Sequence, residues 1–221
     1  YWAKERIDDA YILMQSAKNI PKFAPFYASR AHIKTIINDN SSMSDIEQSI
    51  NYGKKSWPIL VNAIKYYQKN NYWKEAKSIS KDGMESFPNN FNIELLHVKS
   101  LLFLNELDEG INILDKIQVL PSEIGRESHE LYQSLHLVKA LELIKKQDLK
   151  LAKIHINKSK VWPKNLGIGK PYLPNEEIQN ILEEIILKKS PRNDIIKKLK
   201  IIRKKEKGFK NKLINNIISI L

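Results

Sequence analysis

The sequence predicts an all-α protein, a right-handed α-solenoid of helical hairpins closed by a C-terminal helical cap. Three observations carry this reading. Apolar residues recur at spacings of three and four, and no stretch sustains the period-two alternation of a half-buried strand. Only seven of the 221 residues are glycine, too few for a loop-rich β protein. Pro25, Pro58, Pro88 and Pro121 stand 33, 30 and 33 residues apart, a period typical of stacked hairpins.

Taken in order, helices are predicted over 3–18, 24–38, 44–55, 58–70, 72–86, 91–105, 107–117, 125–146, 148–161, 175–189, 193–206 and 209–220. Ser44 followed by Glu47 has the spacing of a capping box at the start of the third. Pro58 suits the first turn of the fourth, where its missing N–H costs nothing. Asp108 and Asp148 follow short polar breaks and are placed to cap the helices after them.

The detail between 57 and 90 matches a tetratricopeptide unit. Leu60, Ala63 and Tyr67 give large, small and aromatic positions on one helix; Ala76 and Gly83, seven apart, give the small positions of the next; Pro88 closes the unit. Helices cross closely only where the contact points lack bulk. Gly110 with Pro121, and Ala140, Ala152, Ser159 with Pro163, continue the pattern, while Ala10, Ala17, Ala24, Ala28 and Ala31 precede it. The first helix reads as the second half of a hairpin. With a start at Tyr1 rather than Met, the chain is expected to be a mature form or a piece of a larger protein. The expected division is a repeat array over 1–189 and a basic helical extension over 190–221 packing on it.

A family resemblance rests on Phe87-Pro88-Asn89-Asn90, Val119-Leu120-Pro121, Gly125-Arg126-Glu127 with His129 and Leu131-Tyr132, and above all Val161-Trp162-Pro163-Lys164-Asn165-Leu166-Gly167-Ile168-Gly169-Lys170-Pro171-Tyr172. These segments, covering about half of the chain, resemble the tetratricopeptide-rich C-terminal region of large bacterial proteins whose N-terminal part is a domain of unknown function similar to galactose-mutarotase-like β-sandwiches. In that family a W-P-E-N-L-G-x-G-K-P-Y stretch ends the last regular repeat; Lys164 stands here in place of its acidic residue. The resemblance implies a scaffold attached to a carbohydrate-related module and carries over no catalytic residue.

Composition excludes several classes. With no cysteine there is no disulfide, thiolate zinc site, iron–sulfur site or thiol nucleophile. No run of 18 apolar residues offers a membrane span. The compartment is not fixed, a soluble cytoplasmic one being favoured over a secreted or periplasmic one. The net charge of +12 comes from 37 Lys+Arg against 25 Asp+Glu. Lys, Ile and Asn, at 32, 32 and 20 residues, are what an AT-rich coding bias supplies. Twelve of the cations and only two acids, Asp194 and Glu206, fall in 188–221, so the excess is local to the tail. Ile195, Ile196, Leu199 and Ile202 give that tail an apolar stripe, the pattern of a cap over the last repeat. Nucleic-acid binding is a minority expectation confined to this end.

Candidate binding residues fall in two groups. The first helices of such hairpins line a groove, which selects Asn62, Lys65, Tyr66 and Lys69, then His97 and Ser100, then Tyr132, Gln133, His136 and Lys139, with Arg126 and His129 near the start of the long helix. Aromatic, amide and cationic groups of this kind suit a peptide. The second group belongs to the Gly-containing loop: Trp162, Asn165, Lys170 and Tyr172. Gly167-Ile168-Gly169-Lys170 is not a phosphate loop, because it lacks the upstream glycine and the Ser or Thr after Lys; Trp162 and Tyr172 are expected to pin it to the helices. His129 and His136 are two turns apart, about 10 Å of rise, too far for one metal. No nucleophile–base set is present. The expectation is a non-enzymatic scaffold without cofactor or metal, binding a protein partner or a neighbouring domain of its own chain. The alternative is an accessory region shaping a carbohydrate-processing active site.

Overall fold

The computed structural model describes residues 6–17, 19–121, 124–206 and 208–221, with the backbone alone at 124 and 125. The described residues form twelve α-helices and no strand: α1 (Ile7–Gln15), α2 (Ala24–Ile36), α3 (Ser42–Gly53), α4 (Trp57–Lys69), α5 (Trp73–Ser86), α6 (Phe91–Leu104), α7 (Leu107–Leu114), α8 (Ile124–Lys145), α9 (Leu149–Ser159), α10 (Glu177–Leu187), α11 (Arg192–Lys205) and α12 (Gly208–Ile220). From α2 onward these match the expected helices to within three residues at either end. Residues 3–5 and 18 of the expected first helix, and Lys207 of the tail, lie outside the described residues.

Two cap assignments need correction. Helix α3 starts at Ser42, so Ser44 lies inside it and makes no capping box; Asp39 orders this entry instead, accepting from the Ser41 amide and hydroxyl at 2.8 Å each. Glu106 rather than Asp108 occupies the N-cap of α7. Asp148 does cap α9, accepting from the Leu151 amide at 3.0 Å.

One turn recurs. After α2, α4, α6, α8 and α10 the chain passes through a left-handed residue: Asn38, Asn71, Asn105, Gln147 and Lys188, with φ of 58°, 63°, 64°, 64° and 50°. The following amide then reaches back five residues: Asp39 to Lys34 O (2.8 Å), Tyr72 to Tyr67 O (2.9 Å), Glu106 to Leu101 O (2.9 Å), Asp148 to Leu143 O (3.0 Å) and Lys189 to Glu184 O (3.1 Å). This Schellman geometry satisfies orphan carbonyls at the helix end and reverses the chain. Asn bears positive φ better than most residues, which explains three of the five positions. Five antiparallel hairpins follow: α2/α3, α4/α5, α6/α7, α8/α9 and α10/α11.

The chain forms two compact units, up to Ser100 and from Leu101, divided inside α6. In the first, α2 packs on α3 and α4, and α4 on α5. The core holds Ala31, Ile46, Ala63, Ile64, Tyr67, Ala76, Ile93 and Leu96. The expected small contacts are real: Ala76 is fully buried, and a Cβ on Gly83 would stand 3.2 Å from Ile93 Cγ2. Gln68 of α4 donates to Leu96 O at 2.7 Å and to Ser100 Oγ at 3.0 Å, tying one first helix to the next. Between α2 and α3, Arg30 grips Asp45 with two bonds of 2.8 and 2.6 Å, and Lys34 reaches the same carboxylate at 2.9 Å, all three side chains buried. The hydrogen bond to Asp45 holds the Arg30 pKa above its ordinary value.

In the second unit α8 is the axis, packing on α7, α9, α10 and α12. A Cβ on Gly110 of α7 would lie 3.1 Å from Leu135, and Ala140 and Ala152 are fully buried. Ile195, Leu199 and Ile202 of α11 and Leu213, Ile214 and Ile217 of α12 join one apolar cluster with residues of α8, α9 and α10. The all-helical succession of hairpins is compatible with an α-solenoid. No helix among the described residues is long and apolar enough to cross a membrane.

If the left-handed turn is what closes each hairpin, Asn71→Gly should leave stability unchanged or raise it by up to about 1 kcal/mol. Asn71→Val should lower it by about 1–2 kcal/mol, since a β-branched residue tolerates this φ poorly. Urea midpoints at constant m-value measure both.

Candidate functional site

A groove of about 370 Å³ lies in the first unit between α2 and α4. Helical spacing explains its walls. Ala28, Ser29, His32 and Thr35 share one face of α2; Asn62, Lys65, Tyr66 and Lys69 share one face of α4; Ile46 of α3 supplies part of the floor. The Tyr66 hydroxyl is 2.7 Å from Ser42 Oγ, which fixes the ring. Burial lowers the pKa of His32, and the Lys69 charge lowers it further.

Of the groove candidates, Asn62, Lys65, Tyr66 and Lys69 are thus brought together. The others are not. His97 is buried and its Nδ1 is 2.8 Å from Ser80 Oγ of α5, so it belongs to the interior between helices. The reason is that α6 buries residues on successive positions, Leu95, Leu96, His97 and Val98, and leaves no groove face there. Mid-α8 behaves the same way: Tyr132, Leu135, His136 and Leu137 are all buried. Tyr132 meets His136 edge-on, with ring centroids 4.5 Å apart. Arg126 is exposed and pairs with Glu130, at 3.4 Å.

The loop candidates divide likewise. Helix α8 has 22 residues and its partner α9 only 11, so the first turns of α8 overhang. The chain after α9 covers them. The Trp162 ring stacks on His129 at 3.4 Å, and His129 Nε2 is 3.2 Å from Val161 O. Leu166 is fully buried, its carbonyl accepting from Ser128 Oγ at 2.7 Å. Asn165 donates to Leu114 O (2.9 Å) and Ile117 O (2.8 Å) at the end of α7, and its own carbonyl accepts from the Val119 amide at 2.8 Å. Gly167 takes φ +73°, and a Cβ there would stand 2.8 Å from two backbone oxygens, of Val119 and Leu120. Gly169 has open space around its Cβ position and no left-handed φ. Trp162 does pin the loop; Tyr172 does not, being 97% exposed because the chain has already left the helices. Lys170 is exposed and lies 4.0 Å from Glu176.

Sequence reasoning missed the pairing of His136 with His155. Their Nδ1 atoms are 3.0 Å apart across the α8/α9 hairpin. One Nδ1 must carry hydrogen and the other must not, so the two rings hold opposite tautomers at this atom. Burial pushes His136 down to about 3, with His155 and Lys158 adding to it; burial also lowers His155, helped by Lys158 and Lys139 and opposed by Asp108. Among the described residues no group of three or more His, Asp or Glu side chains is placed to hold a metal ion.

No family model matches the chain, and no curated protein matches its sequence.

Two outcomes follow from this geometry. Gly167→Ala should cost about 2–3 kcal/mol, from strain at positive φ and the carbonyl contacts, while Gly169→Ala should be neutral; thermal melts compare them. Second, the native state keeps His136 neutral while the unfolded chain binds its proton near pH 6.5. Stability should therefore fall as pH drops below 6.5, by about 1.4 kcal/mol per unit for His136, with the loss running on towards pH 3. In His136→Asn that slope, measured between pH 6.5 and 5, should shrink by about one proton.

Proposed function

We propose that this chain is a non-enzymatic helical-repeat scaffold, a right-handed α-solenoid of tetratricopeptide-like hairpins that holds a protein partner or a neighbouring domain of its own polypeptide. The groove between α2 and α4 carries the reading: two successive first helices present polar side chains at helical spacing over an aliphatic floor. Such a surface offers hydrogen bonds and apolar contact to an extended segment. The recurring hairpin turn supports the repeat assignment. So do the tetratricopeptide spacings of 57–90 and the resemblance of 161–172 to the end of such arrays. On this reading the loop after α9 is structural, and the groove is where a partner sits.

The test is cross-linking through amines in the native cell, with the protein in its full natural length. Cross-links from Lys65 and Lys69 to one defined polypeptide segment are expected, and they should fall at least about fivefold in Asn62→Ala/Tyr66→Ala. Cross-links spread evenly over the surface lysines, and unchanged by that variant, overturn the scaffold reading.

A further inference from the structure

Charge at the groove points to the chemistry of its occupant. None of the nine residues lining it is acidic. Lys65 and Lys69, one helical turn apart on α4, are both exposed, and no carboxylate among the described residues neutralises either. Two lysines of α11 offer a contrast: Lys198 reaches Glu184 of α10 at 2.9 Å, and Lys197 approaches Asp194 at 3.8 Å. Across the groove stands His32, whose pKa is lowered first by burial and then by the charge of Lys69, so the two repel when His32 is protonated. Between them lies a concave, partly apolar space, floored by Ala28 and Ile46. An anion placed there would relieve the repulsion and gain two ammonium partners.

We propose that the α2/α4 groove recognises an acidic peptide segment, seating a Glu or Asp carboxylate between Lys65, Lys69 and His32 while a neighbouring aliphatic side chain rests on Ala28 and Ile46. This rests on the groove being the partner-binding surface. Asn62, one turn before Lys65, is placed to bond the peptide backbone, as an amide can donate and accept at once. A polynucleotide fits less well. It wants a long cationic track and open aromatic faces for its bases, whereas this groove holds two lysines and one tyrosine, its hydroxyl tied to Ser42.

The experiment titrates the chain, followed by amide and imidazole NMR, with a capped octapeptide of alternating glutamate and alanine. The glutamine version of that peptide and a decathymidylate serve as comparisons. The glutamate peptide is expected to shift resonances of α2 and α4 and to raise the His32 titration midpoint. Lys69→Gln should weaken it about fivefold to tenfold, Lys69→Glu should abolish it, and added salt should weaken it. The Lys69 side chain is exposed, so these variants keep the fold. Equal binding of the glutamine peptide overturns the carboxylate assignment and leaves the groove reading standing. Shifts confined to α11, or no shift at all, overturn the proposal, as does tighter binding of decathymidylate at α2 and α4. Failure of the groove reading itself is seen separately, in the cross-linking pattern.

Discussion

Everything in this molecule is arranged by the left-handed residue that follows each first helix. At Asn38, Asn71, Asn105, Gln147 and Lys188 the same backbone geometry ends one helix and starts the return of the chain. The turn is short, so the two helices must lie antiparallel and in contact. Once the turn is fixed, residues a comparable number of turns before and after it become neighbours. Arg30 and Asp45 meet this way across the turn at Asn38, and His136 and His155 across the one at Gln147. The polar cross-links of the hairpins are therefore consequences of the turn, and the apolar core fills what lies between.

The same constraint explains the loop after α9. A hairpin with one helix twice the length of the other leaves apolar and polar groups of the longer helix without cover. The stretch around Trp162, Asn165 and Leu166 supplies that cover with a stacked ring, a two-pronged amide and a buried leucine. Asn165 also satisfies the last carbonyl of α7, at Leu114, and that of Ile117 just beyond it. Gly167 is needed because the loop passes so close to the backbone at Val119 and Leu120 that no side chain fits. A motif that reads in sequence as a potential ligand loop is here a brace between α7 and α8.

How much of this could be read from the sequence depends on whether the determinant is local. Helical periodicity is local, and so the twelve helices were legible, as were the small residues Ala76, Gly83, Gly110 and Ala152 at the crossings. The most regular marker was hidden by composition. Asn is so common in this chain that Asn38, Asn71 and Asn105, spaced 33 and 34 apart, pass for coding bias, although positive φ together with the five-residue back-bond of the next amide is what singles them out. The groove was legible on α4, where Asn62, Lys65 and Tyr66 share a face, but not its confinement to α2 and α4. That depends on α6 and mid-α8 being covered on several faces, which only packing decides. The histidine pair was harder to place, since His136 stands eleven residues before the turn at Gln147 and His155 eight after it.

The trio inside the α2/α3 hairpin has a consequence for how the protein feels its surroundings. Arg30 and Lys34 share the single carboxylate of Asp45, so one positive charge is left over inside the trio. Mobile ions screen exposed charge within roughly 10 Å at 0.1 M salt, but they do not penetrate a packed interior. The lysines of α11 therefore lose their reach as ionic strength rises. The cations on α2 lie between packed helices, where mobile ions screen them much less, and Asp39 beyond the end of that helix is a second carboxylate that feels the Lys34 charge. This chain carries two kinds of positive charge: exposed lysines, on α11 and at the groove alike, whose reach shrinks as salt rises, and a buried Arg30–Lys34 pair that salt screens much less.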